Sequence, residues 1–265
     1  MLHSLFTKTL YDARRALVGW ALGLLGTVAM IVAMYPTVRT GSYQRSVQEA
    51  PEALLRAFGM DRGTDIVSGA GYLGGYLFGF MLPMLLLVFA IGAGASAVAG
   101  EEERGTLELL VANPISRGRV LADKLAALMV MAALLGLVVL AGVLAGGSLV
   151  GLEVGVAGLV AAVASQTLLA VLFGGVAMAV GAATGSRGLA TGVGAAAAVA
   201  AYLVNSLAPL AEALQPLRQL SPIWWATGND PLQHGLGVGL LLMLAVLGAV
   251  LAVGARLFTR RDLAT

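Results

Sequence analysis

Residues 66–124 read IVSGAGYLGGYLFGFMLPMLLLVFAIGAGASAVAGEEERGTLELLVANPISRGRVLADK. The first part, 66–100, carries no charged side chain. The second part, 100–124, carries nine: Glu101, Glu102, Glu103, Arg104, Glu108, Arg117, Arg119, Asp123 and Lys124. An uncharged run of that length exceeds the roughly 20 apolar residues that cross a bilayer core. The same pattern recurs at 16–38, 125–152, 154–186, 188–211 and 235–255. Six spans follow, and the fold class is all-α, a polytopic membrane protein in one domain. The whole chain of 265 residues is 59% hydrophobic and 11% charged, against roughly 25% charged for a soluble domain.

Composition also excludes chemistry. There is no cysteine, so disulfides, thiolate zinc sites and iron–sulfur clusters are ruled out. His3 and His234 are far apart, and no metal site is expected. No GxxxxGK[ST], HExxH or GxSxG motif occurs, so the chain offers no P-loop, zincin or serine-hydrolase signature. It is not expected to be an enzyme. The net charge of +2 does not point to nucleic acid; the basic residues sit at membrane edges, where the partner is lipid. Fourteen Arg against two Lys, with abundant Ala, Gly and Val, suggest a GC-rich, bacterial source.

Orientation comes from the short loops, where Lys and Arg favour the cytoplasm. Six spans put both termini on one side. That side holds Lys8, Arg14, Arg15, Arg104, Arg117, Arg119, Lys124, Arg187, Arg256, Arg260 and Arg261; the other holds Arg39, Arg45, Arg56, Arg62 and Arg218. Cytoplasmic termini and a cytoplasmic 100–124 loop are expected in the plasma membrane. The run from Ala16 to Met34 is too long for a signal peptide and lacks a cleavage site, so it reads as a retained span.

Residues 1–15 place Leu2, Leu5, Phe6, Thr9, Leu10 and Ala13 at helical spacing, with His3, Lys8, Arg14 and Arg15 mostly opposite. This reads as an amphipathic helix on the inner membrane face; the alternative is a cytoplasmic extension of span one. The external loop 36–65 carries mixed charges and a short helix from Glu52 to Met60, with Pro51 at its first position. The external segment 208–234 is broken by Pro209, Pro216, Pro222 and Pro231 yet rich in Leu and Trp. It reads as short helices dipping into the outer leaflet, a re-entrant segment. Gly71, Gly75 and Gly79, like Gly181/Gly185, Gly188/Gly192 and Gly235/Gly239, suggest close helix packing.

Within 100–124, Leu107, Leu110 and Val111 fall on one helical face. Asn113 precedes Pro114 and is pushed out of the helical region, so a first helix should stop near Ala112. Ser116 can cap a second helix running through Asp123 and Lys124 into span three. Glu101 to Glu103 argue against a helix resting on an anionic inner leaflet. The interiors of the spans hold only neutral polar groups, Ser96, Ser165, Gln166, Thr167, Thr184, Thr191 and Asn205, which disfavours proton or sodium coupling.

The string Glu103-Arg104-Gly105-Thr106-Leu107-Glu108, followed by Asn113-Pro114-Ile115-Ser116-Arg117, resembles the first cytoplasmic loop of ABC-2 type ABC transporter permeases. The six-span layout agrees over essentially the whole chain. The resemblance implies a coupling helix that docks into a separate ATPase subunit through Glu102, Glu103, Gly105, Thr106, Leu107, Glu108 and Leu110. It also implies two permease chains, alike or different, with two ATPase chains; ATP and Mg would be held by the ATPase and no cofactor by this chain. Residues 2–15 would be a connecting helix. The substrate path would lie between spans two and five, where Tyr72, Tyr76, Phe80, Tyr202 and Asn205 are the candidates beside an ordinary packing role. An uncharged lining favours export of a hydrophobic or amphipathic substrate, drug-like or lipid-like. The alternatives are a secondary transporter and a non-transporting membrane scaffold or maturation factor with an associated ATPase.

Overall fold

The computed structural model describes residues 5–39, 44–45, 49–57, 60, 63, 65–105, 116–210 and 212–260. Among these there are helices and turns but no strand. Six helices are long and apolar enough to cross a membrane: α1 (Leu5–Val38), α2 (Gly69–Ala97), α3 (Arg117–Val150), α4 (Val156–Thr184), α5 (Arg187–Leu207) and α6 (Gly239–Arg260).

The first helix is one piece. Its 34 residues extend about 51 Å at a rise of about 1.5 Å each, well beyond a core of about 30 Å. Residues 5–15 are therefore its first turns, and a connecting helix separated from span one by a break is not formed. The physical reason is continuity of the buried face. Leu5 is buried, and Leu10, Ala13 and Leu17 pack against the main core as Leu24 and Val28 do further along. No Gly or Pro interrupts residues 5–15.

Caps set the other boundaries. Ser68 Oγ accepts from Gly71 N at 3.2 Å at the start of α2. Ser116 Oγ accepts from Arg119 N at 3.3 Å, so α3 starts at Arg117 and runs through Lys124, as its sequence indicates. Ser186 Oγ accepts from Leu189 N at 3.2 Å to start α5. Gly151 and Gly185 close α3 and α4 at φ of 67° and 70°, a left-handed conformation that costs glycine least.

Helix α4 is the centre of the bundle. It packs against α2, α3, α5 and α6, while α1 lies on α3. The α2–α4 contact is backbone on backbone: a Cβ on Gly94 would overlap the Gly174 carbonyl, and one on Gly174 would lie 2.7 Å from Ala90 O. Small residues permit this approach. Gly94→Ala is expected to force the two helices apart and destabilise the fold by about 1–3 kcal/mol. Gly19→Ala, whose Cβ meets nothing within 4 Å, should leave the thermal midpoint nearly unchanged. Equal midpoints for the two variants would contradict this packing.

Gly71 and Gly75 serve a different contact from the helix pairing their spacing suggests. A Cβ on Gly71 would overlap Asp65 O, and one on Gly75 would lie 2.8 Å from Met60 Cγ. The outer end of α2 thus packs against the preceding loop. In that loop the helix Glu52–Ala57 begins one residue after Pro51 and carries the Glu52–Arg56 pair at 2.7 Å.

Side-chain contacts show which ends lie together. Residues 101–103, 117–124, 187 and 258 meet at one end of the bundle. Residues 31–35, 67–72, 201–205 and 218–232 gather at the other. Between α5 and α6 the chain forms short helices at Ala208–Leu210, Glu212–Leu214, Gln215–Arg218, Pro222–Thr227 and Pro231–His234. Pro216, Pro222 and Pro231 sit in first turns, where a missing N–H costs least.

Candidate functional site

At the end of the bundle nearest residue 5, the connection between α2 and α3 is anchored on both flanks. Glu101, in the short helix Ala99–Glu103 that continues α2, is 6% exposed, and Lys124 of α3 is 3% exposed. Lys124 Nζ donates to Glu101 Oε1 at 2.5 Å. The pair lies immediately outside the uncharged runs 66–100 and 125–152, a buried ion pair that the sequence reading did not anticipate. Lys124 lies two turns inside α3, where packing of α2 on α3 removes it from water. Removing one partner of such a pair leaves a charge buried alone.

Two further ties join this end. Glu103 Oε1 accepts from Arg187 N at 2.8 Å, placing a carboxylate at the positive end of α5. Arg117 Nη1 donates to Phe258 O at 2.6 Å, and its guanidinium lies 5.4 Å from the Phe258 ring centre. The ends of α2, α3, α5 and α6 are thereby connected around one loop.

The docking candidates fall on this loop. Glu102 is half-buried, Glu103 is exposed with its carboxylate engaged by α5, and Gly105 is exposed at φ 67°. Thr106, Leu107, Glu108 and Leu110 lie outside the described residues.

The path candidates divide into two groups. Tyr72 is 2% exposed and its hydroxyl donates to Ile31 O at 2.7 Å; its ring lies 5.2 Å from Tyr35 and 5.0 Å from Tyr76. Tyr72 therefore faces α1, and Tyr76 packs beside it. Phe80 and Tyr202 do meet across α2 and α5, edge to face at 5.9 Å. Asn205 Oδ1 accepts from Arg218 Nε at 3.3 Å.

Asn205 also lines a cavity of about 860 Å³, bounded by α2, α4, the end of α5 and the loops at that end. Its volume is within the range of small-molecule sites. Its α2 wall is unusual: Gly74–Met81 is π-helical, a form often found at functional sites. The local chemistry explains its hydrogen bonding. Leu82 N, which would serve Phe78 O in an α-helix, donates to Leu77 O instead. The next candidate, Pro83, has no N–H. Gln166 of α4, 2% exposed, supplies the missing donor: its Nε2 donates to Phe78 O at 3.1 Å. Gln166 Oε1 then has no partner among the described residues, and an unsatisfied buried acceptor costs about 1–3 kcal/mol. The sequence signal for Gln166 is weak, a single amide in an apolar run opposite Pro83. Among the described residues no His, Cys, Asp or Glu cluster could hold a metal.

The chain matches the ABC-2 family transporter protein family over residues 3–263. It belongs to that family. A comparison with curated proteins found no match. As an ABC-2 permease the chain is a multi-pass membrane subunit of a transporter, and permeases of this family generally work with an ABC ATPase. The family also accounts for a chain with no nucleotide-binding motif of its own.

Proposed function

We propose that this permease exports a hydrophobic or amphipathic substrate, drug-like or lipid-like, across a bacterial plasma membrane, using ATP hydrolysed with Mg in a separate ATPase subunit. The observation that carries the reading is the anchorage of the 104–116 connection. Its two flanks are joined by the buried Glu101–Lys124 pair, and the neighbouring Glu103 and Arg117 reach α5 and α6. A push on this loop would be felt by four spans at once, as a motor-driven transporter requires. The eleven-to-five bias of Lys and Arg supports cytoplasmic termini and a cytoplasmic loop. Segment 208–234 would then lie outside, as a re-entrant element before span six. Two copies of the chain, or this chain and a relative, would flank the path, with Phe80, Tyr202 and Asn205 better placed on it than Tyr72 and Tyr76.

Inside-out vesicles test the reading. With the permease and its ATPase present, ATP added outside should drive uptake of a fluorescent amphiphile. Uptake should persist with an ionophore and stop without the ATPase. Uptake abolished by the ionophore but indifferent to ATP would establish a secondary transporter. ATPase association with no uptake of any amphiphile would favour a scaffold.

A further inference from the structure

The cavity at the end opposite the anchored loop has more acceptors than its own walls use. Gln166 Nε2 is committed to Phe78 O, which leaves Oε1 without a partner among the described residues. Asp65 and Asp230 also line the cavity, and neither forms an ion pair among the described residues. Asp65 Oδ1 accepts from Val67 N at 3.1 Å, and Asp230 Oδ2 accepts from Gln233 Nε2 at 2.7 Å. Arg56 is on the same wall but is paired with Glu52, and Arg218 donates to Asn205. The remaining wall includes Met60, Phe78, Ile223 and Leu232, while Gly74 leaves space where a side chain would stand.

We propose that this cavity binds an amphipathic molecule whose head group donates hydrogen bonds, an amine or ammonium above all. Gln166 Oε1 is the acceptor that selects the head, the two aspartates favour positive charge at the site, and the apolar wall takes the chain. The cavity is formed within one chain. The proposal rests on the transporter reading for its biological role but makes a binding claim that stands alone.

The absence of native cysteine makes a direct test possible. Thr227 lines the cavity and is half-buried. In the full-length chain in lipid nanodiscs, Thr227→Cys would be the sole thiol, and its rate of reaction with a maleimide reports occupancy. Three probes share one chain length: dodecylamine, dodecyltrimethylammonium and dodecyl phosphate. A hydrogen bond to a charged group predicts about tenfold stronger protection by dodecylamine than by the trimethylammonium probe, which has the charge but no donor. Equal protection by all three would show unselective partitioning and overturn the proposal.

Two variants separate the acceptor from its structural neighbour. Gln166→Leu should abolish the preference for dodecylamine, whereas Gln166→Glu keeps an acceptor and should retain it. Both variants lose the bond to Phe78 O, so equal loss in both would assign Gln166 a purely structural role. Gly74→Leu should fill the cavity; a Cβ there meets only Leu232 Cδ1, at 3.6 Å. That variant should abolish protection while keeping the thermal midpoint, and retained protection would place the probe elsewhere. Selective protection without ATP-driven transport would leave the cavity proposal standing and sink the exporter reading.

Discussion

Lys124→Met should lower the stability of the folded permease by about 3–5 kcal/mol, because it leaves the Glu101 carboxylate without its cation. Both groups are nearly inaccessible, at 3% and 6% exposure, so solvent screening gives little relief. Glu101→Leu should cost a similar amount by stranding the ammonium. The double variant Glu101→Leu with Lys124→Met should be less damaging than the sum, since no lone charge remains, and paired replacement by apolar side chains is often near neutral. Thermal midpoints of the four proteins in nanodiscs measure this coupling. Additive losses would mean that the two side chains act independently. The Arg119–Asp123 pair, one turn earlier on α3 and with Arg119 72% exposed, is the internal control. Breaking it should cost about 0.3–0.5 kcal/mol at most, as for other exposed pairs four apart on a helix.

The second large effect concerns the loop. Leu107→Asp together with Leu110→Asp should release the ATPase while leaving the permease inserted and folded. Each leucine is proposed to fill an apolar groove on the motor, and truncating such an anchor commonly costs more than about 2 kcal/mol, or about thirtyfold in affinity. Pull-down of the ATPase should fall below detection and coupled transport should stop. Glu102→Gln and Glu108→Gln should be milder and change chiefly the salt dependence of association. The engagement of Glu103 by α5 makes Glu103→Gln a variant of the permease's own fold as well as of the docking face. Wild-type pull-down and transport by the double leucine variant would show that these leucines only rest on lipid.

Several features were open to reading because each depends on residues close together in the chain. Uncharged runs delimit six spans, Ser116 marks the start of α3, and the prolines of 208–234 divide that segment into short helices. Harder features depended on comparing distant residues. Glu101 and Lys124 stand on opposite flanks of the 104–116 connection, and only the packing of α2 against α3 brings them together. Each alone reads as an ordinary charge at a membrane edge. Tyr72 and Phe80 lie two turns apart on one helix and look alike in sequence, yet one meets α1 and the other α5.

The sequence by itself determined the class, the number of crossings, the absence of a nucleotide-binding motif and the family, because hydrophobic length and local motifs do not need a fold to be recognised. Only the tertiary structure decided that α4 is the central helix, that residues 5–15 continue α1, and that Lys124 is buried against Glu101. It alone placed Gln166 beside a π-helical segment in the wall of a cavity. The physical reason is that an apolar helix in lipid carries little record of which face meets protein. In a soluble helix, polarity marks the outside; here lipid-facing and core-facing positions are both apolar. The partner of each face is settled by steric fit, by glycines such as Gly94 and Gly174 that admit a backbone, and by the few polar atoms that must find one another.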